Sequence, residues 1–459
     1  MKFDKASFAP RSKACVLGFG RSGAACANLL AEAGFEVLLS ELKPLAPDAG
    51  SKAGLLPSVR LESGGHGPEV LKCSFVVKSP GIFPASEIIK KIRKAGIPIF
   101  SELEVSLSFC PPCRVLAVTG TNGKTTTATL LHLVMEKAAV GGGNAWLAGN
   151  VGKPLALLVK DIRAGDSIVL EVSSYQLEDS SFFAPDVSCL LNVTPDHIDH
   201  HGGMDNYLAA KRKVFSGQAK NAWCVFNAQD EECRKMALAC PSKALWFSSA
   251  EGTDGVNARV AGGKLRFSFG KVSCDILPPK LPGAHNLENA MCAGLMALAA
   301  GAAPVAVADA FAAFKGVEHR IEEAGVVKGV RCINDSKATN VDSTLIALRA
   351  LRGEGRKIWL ILGGQDKGLP YAPLAPLVKE CVKAVLLIGE ASDKIESGLA
   401  GAAAMERCGT MENALSFCLK NAEAGDILLL SPACASFDQF RDFEHRGWHF
   451  KALVKAAGS

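Results

Sequence analysis

Short apolar runs alternate with longer segments of helical periodicity along almost the whole chain. Seven of these runs have the length and residue types of buried strands, at 14–17, 36–39, 75–77, 115–118, 167–170, 188–191 and 357–362. A strand, a helical segment and a second strand in succession are typical of βαβ units, in which the strands are parallel. The pattern therefore predicts an α/β protein with mostly parallel sheets.

Two breaks divide this alternation. The first is Cys110-Pro111-Pro112-Cys113, and the second lies at 314–317, after an Ala-rich helical stretch. A chain of 459 residues exceeds what one hydrophobic core usually supports. We therefore predict three domains, at 1–110, 111–317 and 318–459. Cys110 and Cys113 have the spacing of a zinc or redox pair, but no second pair follows closely, so we interpret the segment as a linker.

Composition excludes several classes of protein. The 51 basic and 46 acidic residues are spread without a long block of one sign, which gives no footprint for nucleic acid. The opening residues lack an apolar signal core, and no apolar run reaches the ~18 residues of a membrane span. We expect a cytoplasmic protein that is not inserted in a membrane, with its sixteen cysteines reduced.

The most informative motif is the Gly-rich stretch that runs from Thr119 to Thr127. It follows the apolar run 115–118 and precedes a helical segment. Backbone N–H groups in such a loop, together with the positive end of the helix dipole, bind phosphate oxygens. Val118 stands where the full GxxxxGK[ST] pattern has Gly, so a tight turn without a ligand is the alternative. The motif predicts a nucleoside triphosphate site.

A second Gly fingerprint, Gly18-Phe19-Gly20-Arg21-Ser22-Gly23, follows the first predicted strand, with the acidic Glu41 about 20 residues further on. This GxGxxG pattern is typical of a dinucleotide fold. An NAD-dependent dehydrogenase is therefore a competing hypothesis. The same helix N-terminus can instead bind the pyrophosphate of another nucleotide-linked molecule.

Candidate metal ligands follow two strands of the central region. Glu171 ends one strand, at the edge where ligands bind in open α/β sheets. The segment 192–202 contains Asp196, His197, Asp199, His200 and His201. Zinc is one interpretation and a solvated turn is another, but beside a phosphate loop Mg²⁺ is the cation that carboxylates favour.

The C-terminal third has four polar segments next to strand-like runs, at 319–320, 334–340, 363–367 and 431–440. Arg and Lys in these segments suit anions, hydroxyls suit carboxylates, and an Asp can bind a ribose. Together they suit phosphoryl transfer and amide formation between acidic substrates. Each segment alone could equally be a surface loop.

These motifs resemble the Mur ligase family of ATP-dependent amide ligases across the whole chain. The resemblance rests on 119–127, on Glu171-Val172-Ser173-Ser174, on 196–199 and on two C-terminal segments, 334–340 and 431–436. It implies a Rossmann-like N-terminal domain, a central P-loop-type ATPase domain and a dinucleotide-fold-like C-terminal domain. The C-terminal segments are similar to the branch that adds D-glutamate to UDP-N-acetylmuramoyl-L-alanine, and the Asp-Asn-Pro-Arg-like segment of relatives that add lysine or meso-diaminopimelate is absent.

The resemblance implies roles for individual residues. For ATP it implies Gly120, Thr121, Asn122, Gly123, Lys124, Thr125, Thr126, Asn286, Arg320 and Asp335. For the UDP-linked substrate it implies Arg21, Ser22, Ser79 and Asn150. For D-glutamate it implies Thr339, Lys367, Ser436 and Phe443.

It also implies two Mg²⁺ ions, with the ligands Thr125, Glu171, His197 and Lys211, the last as a carbamate. The residues expected to act in catalysis are Lys124, His197, Lys211 and Lys337. The implied reaction passes through an acyl phosphate that the D-glutamate amine attacks, in a monomeric enzyme of peptidoglycan precursor synthesis. A nucleotide-gated binding protein is the alternative without catalysis. One departure is Leu39-Ser40-Glu41-Leu42, where the family has an Asp-Thr-Arg-like segment near the uracil.

Overall fold

The computed structural model describes residues 3–9, 11–196, 198–250, 253, 255–281, 283–368 and 370–458. The chain forms two compact units. The first comprises Met1–Lys280 and His285–Phe314, and the second comprises Leu281–Ala284 and Lys315–Ser459. The first unit holds two sheets and the second holds one.

The first sheet has five parallel strands in the order β3-β2-β1-β4-β5. Its strands are β1 Lys13–Leu17, β2 Glu36–Glu41, β3 Arg60–Ser63, β4 Phe75–Lys78 and β5 Ile99–Ser101. Its helices are α1 Arg21–Glu32, α2 Ala49–Lys52, α3 Glu87–Lys94 and α4 Glu102–Phe109. The strand order reverses between β1 and β4, which is the point where such sheets bind ligands.

The second sheet has nine strands in the order β14-β13-β12-β11-β10-β9-β6-β8-β7. These are β6 Arg114–Thr119, β7 Ala145–Gly149, β8 Ser167–Glu171, β9 Val187–Leu190, β10 Trp223–Asn227, β11 Lys243–Ser248, β12 Ala258–Ala261, β13 Lys264–Phe269 and β14 Val272–Ile276. All neighbouring strands from β7 to β12 in this order pair parallel. The two remaining pairs, β12–β13 and β13–β14, are antiparallel.

Eight helices accompany the second sheet in the described part of the chain: α5 Lys124–Ala138, α6 Leu155–Leu158, α7 Ser174–Glu178, α8 Ile198–His201, α9 Met204–Ser216, α10 Glu231–Ala237, α11 Ala284–Ala299 and α12 Pro304–Ala313. The strands β8 and β9, on either side of β6, are buried along their whole length, as in a sheet covered on both faces. Because β6 pairs parallel with both β8 and β9, the carboxyl ends of these three strands lie at the same edge of the sheet.

The second unit is built on a six-stranded sheet in the order β15-β16-β20-β17-β18-β19. Its strands are β15 Glu322–Val327, β16 Val330–Asn334, β17 Ile358–Gly363, β18 Val382–Ile388, β19 Ala404–Gly409 and β20 Ile427–Leu430. Its helices are α13 Val341–Leu351, α14 Ala375–Cys381, α15 Ser392–Gly398, α16 Met411–Asn421 and α17 Phe443–Gly458. Only the β15–β16 pair is antiparallel among these strands.

The predicted fold class is confirmed, and all seven predicted strands are present. The sequence pattern missed the other strands, among them β13, which alternates exposed and buried residues and so lacks a continuous apolar run. Short 3-10 helices complete the description, at Lys5–Ser7, Pro68–Lys72, Val140–Gly142, Arg352–Glu354 and Ala372–Leu374. Among the described residues, none of the helices has both the length and the apolar character needed to cross a bilayer.

Candidate active site

The phosphate loop connects β6 to α5 and depends on Gly123. This residue caps α5 with a left-handed backbone, at φ +83°. A Cβ atom there would lie 2.3 Å from Asn289 Oδ1, so a side chain is excluded both by conformation and by space. The loop therefore presents its backbone at the N-terminus of a fifteen-residue helix, which is the arrangement that binds phosphate groups.

Side chains from neighbouring strands and helices fix the shape of this loop. Asn192 Oδ1, just beyond β9, accepts from the backbone N–H of Thr121 at 3.1 Å and of Asn122 at 2.8 Å. The hydroxyls of Thr121 and Tyr207 lie 2.8 Å apart. The Lys124 ammonium donates to the carbonyls of Gly120 and Thr121, at 3.0 and 2.7 Å. The lysine thus lies over the loop that it follows.

Glu171 lies beside this loop at the end of β8, in register with Val118 of β6. Its side chain is buried, and Oε1 accepts from Asn150 Nδ2 at 2.8 Å. Oε2 is also buried and has no hydrogen-bond partner among the residues described. A buried carboxylate oxygen without a partner is a ligand that hard divalent cations take, so the site fits Mg²⁺. Thr125 and Thr126, in the first turn of α5, are buried at the same edge of the sheet.

Lys211 lies on α9 and is buried to 2% exposure. Burial holds the pKa of its amine well below the usual lysine value, and the positive charge of Lys124 lowers it further. Its Nζ atom lies 4.7 Å from the centre of the Tyr207 ring. A neutral amine is the form that reacts with CO₂. His197 falls outside the described residues, so the structure gives no geometry for it.

The other two histidines of the His-rich segment face Glu178, at the end of α7. His201 Nδ1 lies 3.2 Å from Glu178 Oε1, and His200 Nε2 lies 3.6 Å from Glu178 Oε2. The spacing of these ligand atoms would suit a metal ion. However, the Lys78 ammonium already lies 3.0 Å from Glu178 and 2.9 Å from Asp179, with only 1% of its side chain exposed. We interpret the cluster as an ion-pair network that ties β4 to α7.

Three of the four residues predicted for the UDP-linked substrate line one cavity of about 240 Å³. They are Arg21 and Ser22, at the start of α1, and Asn150, after β7. Ser79 follows β4 and lies beside Gly18. A Cβ atom added to Gly18 would lie 2.9 Å from the Ser79 side chain. A neighbouring cavity of about 540 Å³ is lined by the Gly18 loop, Glu41 and apolar side chains that include Phe83.

Glu41 is not available to a ribose in the way that a dinucleotide fold requires. Its Oε2 accepts from the backbone N–H of Phe19 at 2.8 Å, and its Oε1 accepts from that of Lys43 at 3.0 Å. The carboxylate therefore holds the turn after β2 against the Gly loop. This geometry argues against the dehydrogenase hypothesis, in which the acidic residue binds the ribose hydroxyls.

In the second unit, three of the polar segments follow adjacent strands β16, β20 and β17, so they converge at one edge of the sheet. Asp335 is buried there, and it accepts from Ser431 Oγ at 2.7 Å and from Ile321 N at 3.2 Å. Burial raises its pKa to about 7, against the opposing charge of Arg320. Arg320 Nε is buried without a hydrogen-bond partner among the described residues.

The predicted D-glutamate residues lie at or near this edge. Ser436 is buried, Phe443 begins α17, and the Lys337 ammonium lies 5.7 Å from the Phe443 ring. Thr339 donates its backbone N–H to the Lys337 carbonyl at 2.9 Å, while Lys367 is exposed after β17. Asn286, which belongs to the first unit, lies in the first turn of α11 and accepts from Asn289 Nδ2 at 3.2 Å.

Sequence reasoning missed the residues that hold these loops. Arg446, on α17, is 1% exposed and donates to the carbonyls of Ser336, Cys434 and Ala435, which joins the segments after β16 and β20. The sequence feature that could have identified Arg446 is its position, four residues before Phe450 and eight before Val454, on the apolar face of the helix. Other missed residues are Asn192, Tyr207 and Asn289 at the phosphate loop and Glu102 in the cavity of about 240 Å³.

Comparison with known proteins matches each of the three sheets to a described family. The MurD N-terminal domain matches residues 13–88, the Mur ligase middle domain 118–297, and the Mur ligase glutamate ligase domain 319–434. A UDP-N-acetylmuramoylalanine--D-glutamate ligase from Elusimicrobium minutum is 50% identical, covering 97% of this chain and 98% of that protein. A ligase of the same name from Koribacter versatilis is 39% identical and covers 96% of each chain.

Solved structures share the fold at lower identity. The UDP-N-acetylmuramate-alanine ligase of Thermotoga maritima superposes with a TM-score of 0.60, at 17% identity, over 97% of this chain and 99% of that one. A pseudomurein peptide ligase type C from Methanothermus fervidus gives 0.58, at 16% identity, over 97% and 99%. The matched family models and the full-length relatives define the class of this chain, which is an ATP-dependent ligase. The chain belongs to the Mur ligase family.

Proposed function

We propose that this enzyme joins D-glutamate to UDP-N-acetylmuramoyl-L-alanine at the expense of ATP, in cytoplasmic peptidoglycan precursor synthesis. The observation that carries this assignment is similarity over the full length, at 50% identity, to a ligase named for that reaction. The match to the MurD N-terminal domain supports the same branch of the family. Three domains at 1–110, 111–317 and 318–459, acting in a monomer, stay predictions, and the extents of the three sheets support the domain boundaries.

The ATP phosphates bind at the loop from Gly120 to Thr126. The N-terminus of α5 and the Lys124 ammonium face the same loop, so both offset the phosphate charge. Asn286 meets the adenine, Asp335 the ribose, and Arg320 the phosphates. Each Asp335 oxygen already accepts one hydrogen bond, so a ribose hydroxyl would use a remaining lone pair of one of these oxygens.

Two Mg²⁺ ions, when bound, neutralise charge on the phosphates and on the reacting carboxylate. Thr125, Glu171, His197 and Lys211 are the proposed ligands. Support comes from the partnerless Oε2 of Glu171 and from the buried Lys211 amine. Addition of CO₂ to the neutral amine, with loss of one proton, gives a carbamate, which is an anionic oxygen ligand. A ¹³C carbamate resonance that grows in with ¹³CO₂ and is absent from Lys211→Arg tests this step.

The remaining site residues bind and orient the two substrates. Arg21, Ser22, Ser79 and Asn150 bind the UDP-linked substrate, and Thr339, Lys367, Ser436 and Phe443 bind D-glutamate. The substrate carboxylate takes the γ-phosphate of ATP to give an acyl phosphate, and the D-glutamate amine then displaces phosphate. Lys124 and Lys337 stabilise the anions that must come together, so no covalent enzyme intermediate is needed.

Phosphate release tests the proposal. The enzyme, ATP and Mg²⁺ are mixed with UDP-N-acetylmuramoyl-L-alanine, and D-glutamate, L-glutamate, lysine or meso-diaminopimelate is added in turn. Release only with D-glutamate supports the assignment. Release with another amino acid contradicts the branch but not the family, and nicotinamide-dependent absorbance changes without phosphate release would restore the dehydrogenase hypothesis.

A further inference from the structure

Glu102 is a buried carboxyl group that the proposed reaction leaves without a role. It begins α4, is 8% exposed, and lines the cavity of about 240 Å³ that Arg21, Ser22 and Asn150 also line. The Ser22 side chain hydrogen-bonds the carboxyl group. Its Oε2 atom is buried and has no hydrogen-bond partner in the part of the chain described. Burying a polar oxygen without a partner costs free energy, so a ligand that satisfies it is expected.

The rest of this cavity is suited to an anion. The twelve-residue helix α1 starts at its wall, with no acidic residue in the first turn and no side chain capping its N–H groups. Arg21 adds a positive charge, and the Asn150 and Gln176 side chains are neutral amides. A helix N-terminus of this kind attracts phosphate groups. An ionised carboxylate at the same wall would repel them.

We propose that Glu102 binds the diphosphate of the UDP-linked substrate as a neutral carboxylic acid that donates a hydrogen bond to a phosphate oxygen, so that substrate binding takes up one proton. This inference rests on the proposed function and adds a specificity-determining residue to it. A protonated carboxyl group supplies the donor that an anion needs and removes the charge that would oppose it.

The surroundings of Glu102 favour its protonated form. Burial raises its pKa to about 6, against the hydrogen bond from Ser22. Arg21 is the other charged residue among those described that line the cavity, and the buried Cys26 thiol lies behind Glu102, within reach of its charge. A bound diphosphate raises the pKa further, because two anions would otherwise share one cavity. Since the diphosphate diester does not titrate near neutral pH, the proton is taken up by the protein.

Linkage gives the expected size of the effect. Above about pH 7 the free enzyme holds Glu102 ionised and the complex holds it protonated, so the dissociation constant rises about tenfold per pH unit. Below about pH 6 both states are protonated and the dependence disappears. Glu102→Gln keeps a neutral donor at the same position, so its affinity is expected to stay near the wild-type low-pH value at every pH.

Calorimetry tests this directly. UDP-N-acetylmuramoyl-L-alanine is titrated into the full-length enzyme without ATP, near pH 8, in buffers of different ionisation enthalpy. Wild type is expected to take up about one proton and Glu102→Gln none. Glu104→Gln is the matched control, because Glu104 is equally buried and also has a partnerless Oε2 but lines a different cavity, with Phe182 and Cys110. It is expected to behave as wild type.

Equal proton uptake by wild type and Glu102→Gln, or a wild type that takes up none, would overturn the inference while the substrate still binds. Loss of binding by Glu102→Gln with an unchanged melting temperature would also overturn it, since it would show that an ionised carboxylate is needed. Glu102→Asp keeps the acid on a shorter side chain, and it is expected to take up a proton with weaker affinity. A wild type that binds no substrate at any pH would instead contradict the proposed function itself.

Discussion

Replacing Lys78 by Met tests whether the buried ion-pair network holds β4 to α7. The Lys78 ammonium lies 3.0 Å from Glu178, 2.9 Å from Asp179 and 2.9 Å from the Ile82 carbonyl, with 1% of its side chain exposed. Methionine has nearly the same length but no charge. The variant therefore leaves two largely buried carboxylates without their shared cation.

Removing one partner of a buried ion pair costs about 3–5 kcal/mol, because the charge that stays behind is uncompensated. At about 2–4 °C per kcal/mol, the melting temperature of the first unit should fall by roughly 6–20 °C. Differential scanning calorimetry measures it. Lys72→Met is the control, because Lys72 pairs with Glu69 at the surface, where its side chain is 62% exposed, and no resolvable change is expected.

The loss should also depend on pH. Burial holds the pKa of His200 below its usual value, and the Lys78 charge contributes to that lowering. Without Lys78 the pKa of His200 rises, and its protonated ring can pair with Glu178. That stabilisation is present at low pH and is lost as pH rises through the folded-state pKa, so the deficit is larger near pH 8 than near pH 6. Equal melting temperatures for Lys78→Met and wild type at both pH values would refute the reasoning.

Two further variants test the site. Gly123→Ala places a Cβ atom 2.3 Å from Asn289 Oδ1, at a residue with a left-handed backbone. The affinity for a fluorescent ATP analogue should therefore fall at least tenfold. An affinity equal to that of wild type would contradict the role of the loop in nucleotide binding. Asn150→Ala removes the hydrogen bond to Glu171, so the Mg²⁺ concentration for half-maximal activity should rise about 10–100-fold. An unchanged Mg²⁺ requirement would show either that Glu171 does not bind Mg²⁺ or that it binds without the hydrogen bond from Asn150.

The seven predicted strands and the loops that follow them could be predicted because each carries its signal in consecutive residues. The strand β8 has an apolar centre, Ile168–Leu170, and Glu171 is its last residue, so the place of Glu171 at the sheet edge could be predicted. Gly123 was identifiable for the same reason, since a Gly between a strand and a helix indicates a positive φ.

Contacts between distant segments could not be predicted in this way. Asn192 reaches the loop from about seventy residues away, and Arg446 joins two loops from more than a hundred residues beyond the first. Glu102 looked like an ordinary acid at the start of a helix, and only folding buries it beside α1. Burial of Lys211 is likewise a tertiary property, because its helix α9 carries other lysine and arginine residues that stay less buried.

We expect this chain to select D-glutamate and to join it to the UDP-linked substrate. The most direct test is a competition in one reaction, with ATP, Mg²⁺, UDP-N-acetylmuramoyl-L-alanine and equal amounts of D-glutamate, L-glutamate, lysine and meso-diaminopimelate. The product is identified by mass, and its glutamate by chiral chromatography after hydrolysis. We expect one product that contains D-glutamate alone. A product that contains L-glutamate or a diamino acid, or no product while ATP is hydrolysed, would contradict the account.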